Sequence, residues 1–134
     1  MTTRIVSTMA TVALLAMPGM VTAETAGQAE YMTSCAVCHG LTGKGDGHFT
    51  DLMKTAVPDL TTVSQRNEGV FPVLDILHII DGRSGMRGHG GEMPIWGDRF
   101  AADAISDLTG DYSATYVVRG RILSLAYYLE SIQK

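Results

Sequence analysis

An all-α fold with long glycine-rich loops is predicted by three features of the chain. Val118, Ile122, Leu125, Leu129 and Ile132 recur at steps of four and three residues, the spacing of one helix face. No stretch alternates at period two as a half-buried strand requires, and no longer repeat is present. Glycine clusters at 40–47 and 82–91 interrupt the helical pattern in a chain of only 134 residues. So small a chain covers its apolar surface incompletely, and a large rigid cofactor enclosed by the loops would supply the missing contacts. The expectation is three to five helices around one such group.

The elements follow in order. Ile5 to Met17 is apolar apart from Ser7, Thr8 and Thr11, with Arg4 before it and the small-residue pattern Val21-Thr22-Ala23 behind. That is the plan of a secretory signal peptide, and the run falls short of the ~20 residues of a membrane-spanning helix. A signal peptide is expected at 1–23 and the functional domain at 24–134, exported to a periplasmic compartment. An uncleaved leader would be its only tie to a membrane.

From Thr25 a helical stretch, with Ala29, Met32 and Cys35 near one face, leads into Cys35-Ala36-Val37-Cys38-His39-Gly40. The following GLTGKGDG lacks the GxxxxGK[ST] pattern of a phosphate loop and reads as turns. A short helix is expected at 51–57, stopped by Pro58. Residues 71–81, FPVLDILHIID, predict a buried helix with Pro72 at its first position. Residues 82–91 form a loop shaped by what it wraps. The polar, turn-prone 98–114 has room for a short helix at 101–108, and a last helix is expected at 115–132.

Lys and Arg number 10 against 14 Asp and Glu, a net charge of −4, and the leader would remove Arg4 from the positive side. No basic patch exists to displace counterions from phosphates, so no nucleic-acid partner is expected. The acidic balance favours partners with basic surfaces. Two cysteines exclude a scaffold of several disulfides.

Those cysteines carry the chemistry. Residues three and four apart share a helix face, so Cys35, Cys38 and His39 point the same way. Their CxxCH spacing is that of c-type haem attachment. Two thiols form thioethers with the two vinyl groups of one porphyrin while the imidazole reaches the iron. The rival is a thiol-disulfide site, which in the thioredoxin pattern lies between a strand and a helix. Here a helix precedes and a glycine loop follows, and His39 would have no task. A zinc site would need further cysteines or well-spaced histidines, and only His48, His78 and His89 are left.

Through CAVCHG at 35–40, GEMPIWG at 91–97 and RILSLAYYLESIQ at 121–133, the sequence resembles class I cytochromes c over nearly all of 24–134. The resemblance implies first and last helices that cross, one covalent haem c, and an iron held by His39 on one side and a distant methionine on the other. Four methionines lie in the leader, leaving Met32, Met53, Met86 and Met93. Met32 is too near Cys35 to reach around the haem and is expected in the core, where Met53 is also expected as filler. Met86, Met93 and His89 belong to the loop that should cover the far face. Met93 precedes Pro94, whose fixed φ stiffens the chain there, and it matches the family's Met-Pro motif, so it is the expected ligand.

Pro58 in VPDL resembles the family proline whose carbonyl accepts the imidazole N–H. Trp96 is expected either near the haem, its indole N–H toward a propionate, or as an ordinary core tryptophan. Arg83 and Arg87 are candidates to neutralise propionates, while His48 and His78 read as surface or core residues. The segment 98–114 departs from the family's commonest pattern.

Histidine and methionine ligation raises the reduction potential and fills both axial positions, so one-electron transfer is expected. Carboxylates are scattered and no serine-histidine pairing stands out, so no enzyme is expected. The reading is an exported carrier between a donor and an acceptor redox protein. Its alternatives are a fixed haem subunit of an exported oxidoreductase complex, docking through 98–114, and a peroxidase-like or ligand-sensing protein if Met93 is labile.

Overall fold

A computed structural model describes residues 25–83, 93–107 and 111–134. The expected leader and the loop residues Met86, Arg87 and His89 lie outside the described residues. Within them are six α-helical segments and no strand, which establishes the all-α class.

Helix α1 (Ala26–Ser34) starts where the Thr25 hydroxyl accepts the Gln28 backbone N–H at 3.1 Å, a capping bond that satisfies one orphan donor of the first turn. After Cys35 the chain winds once more as α2 (Ala36–His39). Single 3-10 turns follow at Thr50–Leu52 and Leu60–Thr62, the second running into α3 (Val63–Arg66). Helix α4 (Val73–Asp81) begins after Pro72 and stops at Gly82, which adopts left-handed geometry. Helices α5 (Trp96–Asp107) and α6 (Asp111–Ser131) complete the order.

Helix α6 is the spine on which α1, α4 and α5 pack. Its Val118, Ile122, Leu125 and Leu129 meet Tyr31 of α1, Ile76 and Ile80 of α4 and Phe100 of α5 in one buried cluster. Gly27 permits the α1 contact, because a Cβ built on it would stand 2.6 Å from the Ser124 carbonyl carbon. One turn on, the Tyr31 ring packs against Tyr128 with centroids 5.1 Å apart. Arg121 ties three helices together. Its guanidinium donates to both Glu30 oxygens at 2.6 and 3.0 Å and to Asp103 at 3.3 Å, and lies 4.0 Å over the Phe100 ring.

Several expectations are corrected. The inward face of α1 is Gly27 and Tyr31, one turn apart, so Met32 projects outward and is 36% exposed rather than in the core. The helix expected at 51–57 shrinks to the turn Thr50–Leu52, since Met53 is already extended and a lone turn is too short to propagate. The 71–81 helix is amphipathic, with Ile76 and Ile80 buried and Leu74 71% exposed. The short helix expected at 101–108 begins earlier, at Trp96, because Phe100 and Ala104 form an apolar stripe hidden among polar neighbours. The last helix starts at Asp111 rather than 115.

Candidate functional site

The loop after α2 holds the CxxCH segment by its carbonyls. Gly45 N–H donates to the His39 carbonyl at 2.8 Å, Gly47 N–H to that of Cys38 at 3.1 Å, and Phe49 N–H to that of Val37 at 3.0 Å. The Thr50 hydroxyl adds a second bond to the Cys38 carbonyl at 3.1 Å. Gly45 has a positive φ of 79°, and a Cβ on it would stand 3.1 Å from the Val57 carbonyl carbon. Glycine there lets the segment carrying Pro58 close on the motif. From the other side, Tyr31 donates its hydroxyl to the Gly40 carbonyl at 2.7 Å in the buried interior.

Two cavities of about 440 and 410 Å³ result. Cys35, His39, Pro58 and Met93 line both, so the two are ends of one slot with the candidate donors between them. Cys38, Val37, Phe49 and Trp96 wall the first; Leu60, Ile76, Leu125 and Leu129 wall the second. His39 is buried and its Nδ1 is shielded from solvent. Cys35 and Cys38 are not bonded to each other, and burial, then Glu30 and Cys38, push the Cys35 thiol up to about 12. Burial likewise raises the Tyr31 hydroxyl above its ordinary range.

The donor set fits a haem. Two thiols and an imidazole come from one short segment, a thioether from a remote one, and the slot between is walled mainly by apolar side chains. No group of three or more His, Cys, Asp or Glu converges among the described residues to hold an isolated metal ion, so the zinc alternative gains nothing.

The structure brings all six expected site residues, Cys35, Cys38, His39, Pro58, Met93 and Trp96, to the first cavity. Met53, expected as core filler, is half-buried and also lines it. Arg83 does not reach the slot walls; it is exposed and paired with Asp81 at 2.7 Å. His48 and His78 are exposed. The cation that does line the first cavity is Arg99, 5.3 Å from the Trp96 ring centroid. Sequence reasoning missed it because 98–114 read as polar turns. The i, i+3 relation of Trp96 and Arg99 on a helix was the available signal.

A helical chain that folds CxxCH and a distant methionine around one apolar slot has the make-up of a haem-carrying electron-transfer protein. The family model for Cytochrome c matches residues 24–109, and the chain belongs to the cytochrome c family. Its members hold haem c covalently and exchange electrons with redox proteins, and Cys35 to His39 fits the attachment motif. No curated protein and no solved structure matches the chain.

Proposed function

We propose that the protein is a class I monohaem cytochrome c, exported to the periplasm, that carries single electrons from one redox protein to another. The observation that supports this most is the convergence of Cys35, Cys38, His39 and Met93 on one cavity from distant parts of the chain. Cys35 and Cys38 would hold the haem by thioether bonds, and His39 and Met93 would ligate its iron. Bound there, the haem supplies a one-electron iron couple. Pro58 lines the same cavity as His39, and its carbonyl would take the imidazole N–H when the haem is bound. Trp96 walls the same cavity, where its indole N–H would donate to a propionate.

The Met93 thioether is a soft, neutral donor that favours ferrous iron. The apolar walls act in the same direction, because they solvate the extra positive charge of the oxidised state poorly. Ligation by both His39 and Met93 would leave the iron no site for a substrate, which would favour a carrier over a peroxidase-like enzyme. Phe100 and Ala104 bury part of the 98–114 segment in the protein's own body, which favours a free carrier over a fixed subunit docked through that segment. Loss of Arg4 with the leader takes the net charge of −4 to −5, which would steer basic partners from a distance, while the first cavity presents them with apolar walls and Arg99. The run Ile5 to Met17 between Arg4 and Ala23 supports export.

Denaturing mass spectrometry of protein matured with a haem-attachment system tests this reading. The expected product begins at Glu24 and retains one haem. Colourless protein, or pigment extracted by acidified acetone, would overturn it. A free carrier should also elute alone at moderate salt.

A further inference from the structure

The outward face of α6 takes no part in the haem slot. Tyr116, Leu123 and Tyr127 stand on it 73%, 38% and 58% exposed. With Gly120 they follow at steps of four, three and four residues, which makes one stripe. Glycine weakens a helix interior, yet a Cβ built on Gly120 meets nothing within 4 Å, so no contact among the described residues requires it. Arg119 and Glu130 flank the stripe on one side, both exposed and neither in an ion pair among the described residues.

We propose that this stripe is the interface for a second copy of the chain, the two α6 helices packing antiparallel about a twofold axis level with Ser124 and Leu125. At 1.5 Å per residue, Arg119 lies about 8 Å to one side of that level and Glu130 about 8 Å to the other. The rotation therefore sets Arg119 of each copy beside Glu130 of the other, on the same flank, twice. On the opposite flank it carries each Tyr127 ring to within about 3 Å, along the axis, of the hollow over the other copy's Gly120. Leu123 meets Leu123 near the centre. A twofold interface must be self-complementary, and opposite charges at equal distances from one point meet that condition. A parallel pairing in register would instead hold the two Arg119 side chains level on opposite flanks, each about 16 Å along the axis from either Glu130. The stripe is about 17 Å long and one helix wide, which places the contact in the small, reversible class.

Sedimentation of the haem-loaded protein from about 10 μM to about 1 mM, a range that brackets weak association, tests the proposal. The average mass should climb from one chain toward two. Arg119→Glu and Glu130→Arg should each raise the midpoint concentration about tenfold or more, and the double swap should restore it. Gly120→Leu should raise it as well, by filling the hollow. Unchanged visible spectra would show that each variant is folded with its haem. A single-chain mass throughout, or association indifferent to these variants, would overturn the proposal, as would charge reversals that the double swap does not rescue.

Discussion

Gly27 of α1 lies so close to Ser124 of α6 that a β-carbon on it would stand 2.6 Å from the Ser124 carbonyl carbon. That approach sets the position of Tyr31 one turn later, whose hydroxyl bonds the carbonyl of Gly40, the residue after His39. Helix packing and the haem-binding motif are thus joined through one buried side chain.

Gly27→Ala should therefore separate α1 from α6. The added methyl meets backbone, which cannot swing aside, so the cost should reach the ~1–3 kcal/mol typical of overpacking, or more. For a domain near 100 residues each kcal/mol lowers the melting temperature by about 4–8 °C. Thermal unfolding of the haem-loaded variant measures it, and an unchanged melting temperature would show that the two helices have room to spare.

Tyr31→Phe removes one hydroxyl and leaves the Gly40 carbonyl short of a donor in the interior. The expected loss is about 1–2 kcal/mol, read as a lower urea midpoint with an unchanged slope. Tyr31→Ala should cost about 3–5 kcal/mol, because the Tyr128 contact and the packing of a large side chain go with it. Equal losses in the two variants would assign the whole effect to the hydrogen bond.

Much of this was legible in the sequence where a residue's task is fixed by spacing. The face Val118, Ile122, Leu125 and Leu129 is the core face of α6, and Cys35, Cys38 and His39 share a cavity as their i, i+3, i+4 relation requires. What escaped depends on tertiary contact. Glycine scores as a helix weakener wherever it stands, so Gly27 gave no sign that it was the inner face of α1 in place of Met32. Arg99 lay in a segment whose charge hid the two buried residues, Phe100 and Ala104, that make it helical. Pro58 read as a helix stop from its own chemistry and was placed at the site only by the family resemblance; the approach of Gly45 to Val57 that brings it there is a contact between loops that no periodicity encodes.

Met93 lines both ends of the slot, as Cys35 and His39 do. In the proposed role it stabilises ferrous iron, so Met93→His should lower the reduction potential by roughly 0.2 V, well inside the about 0.8 V that axial ligation spans. The weak sulfur-to-iron band at the red end of the oxidised spectrum should vanish while the haem stays covalently attached. Retention of that band would pass the ligand role to another methionine.

Acid sensitivity should trace in part to Asp59, next to Pro58 in the slot wall. Its carboxylate accepts the Thr61 hydroxyl at 2.6 Å and the Thr61 backbone N–H at 2.8 Å. These bonds hold its pKa below the ordinary value, with smaller help from Lys134 and Arg66. Because the folded-state value is the lower one, the contribution is complete above the unfolded-state pKa of about 4 and disappears as pH falls through the folded-state value. Asp59→Asn keeps an acceptor but loses the charge. The variant should melt below the parent at neutral pH, and the gap should narrow only once the pH drops under about 4. Melting curves of both proteins across that range decide the matter: a gap of constant size would mean that the charge on Asp59 plays no part in holding the turn after Pro58.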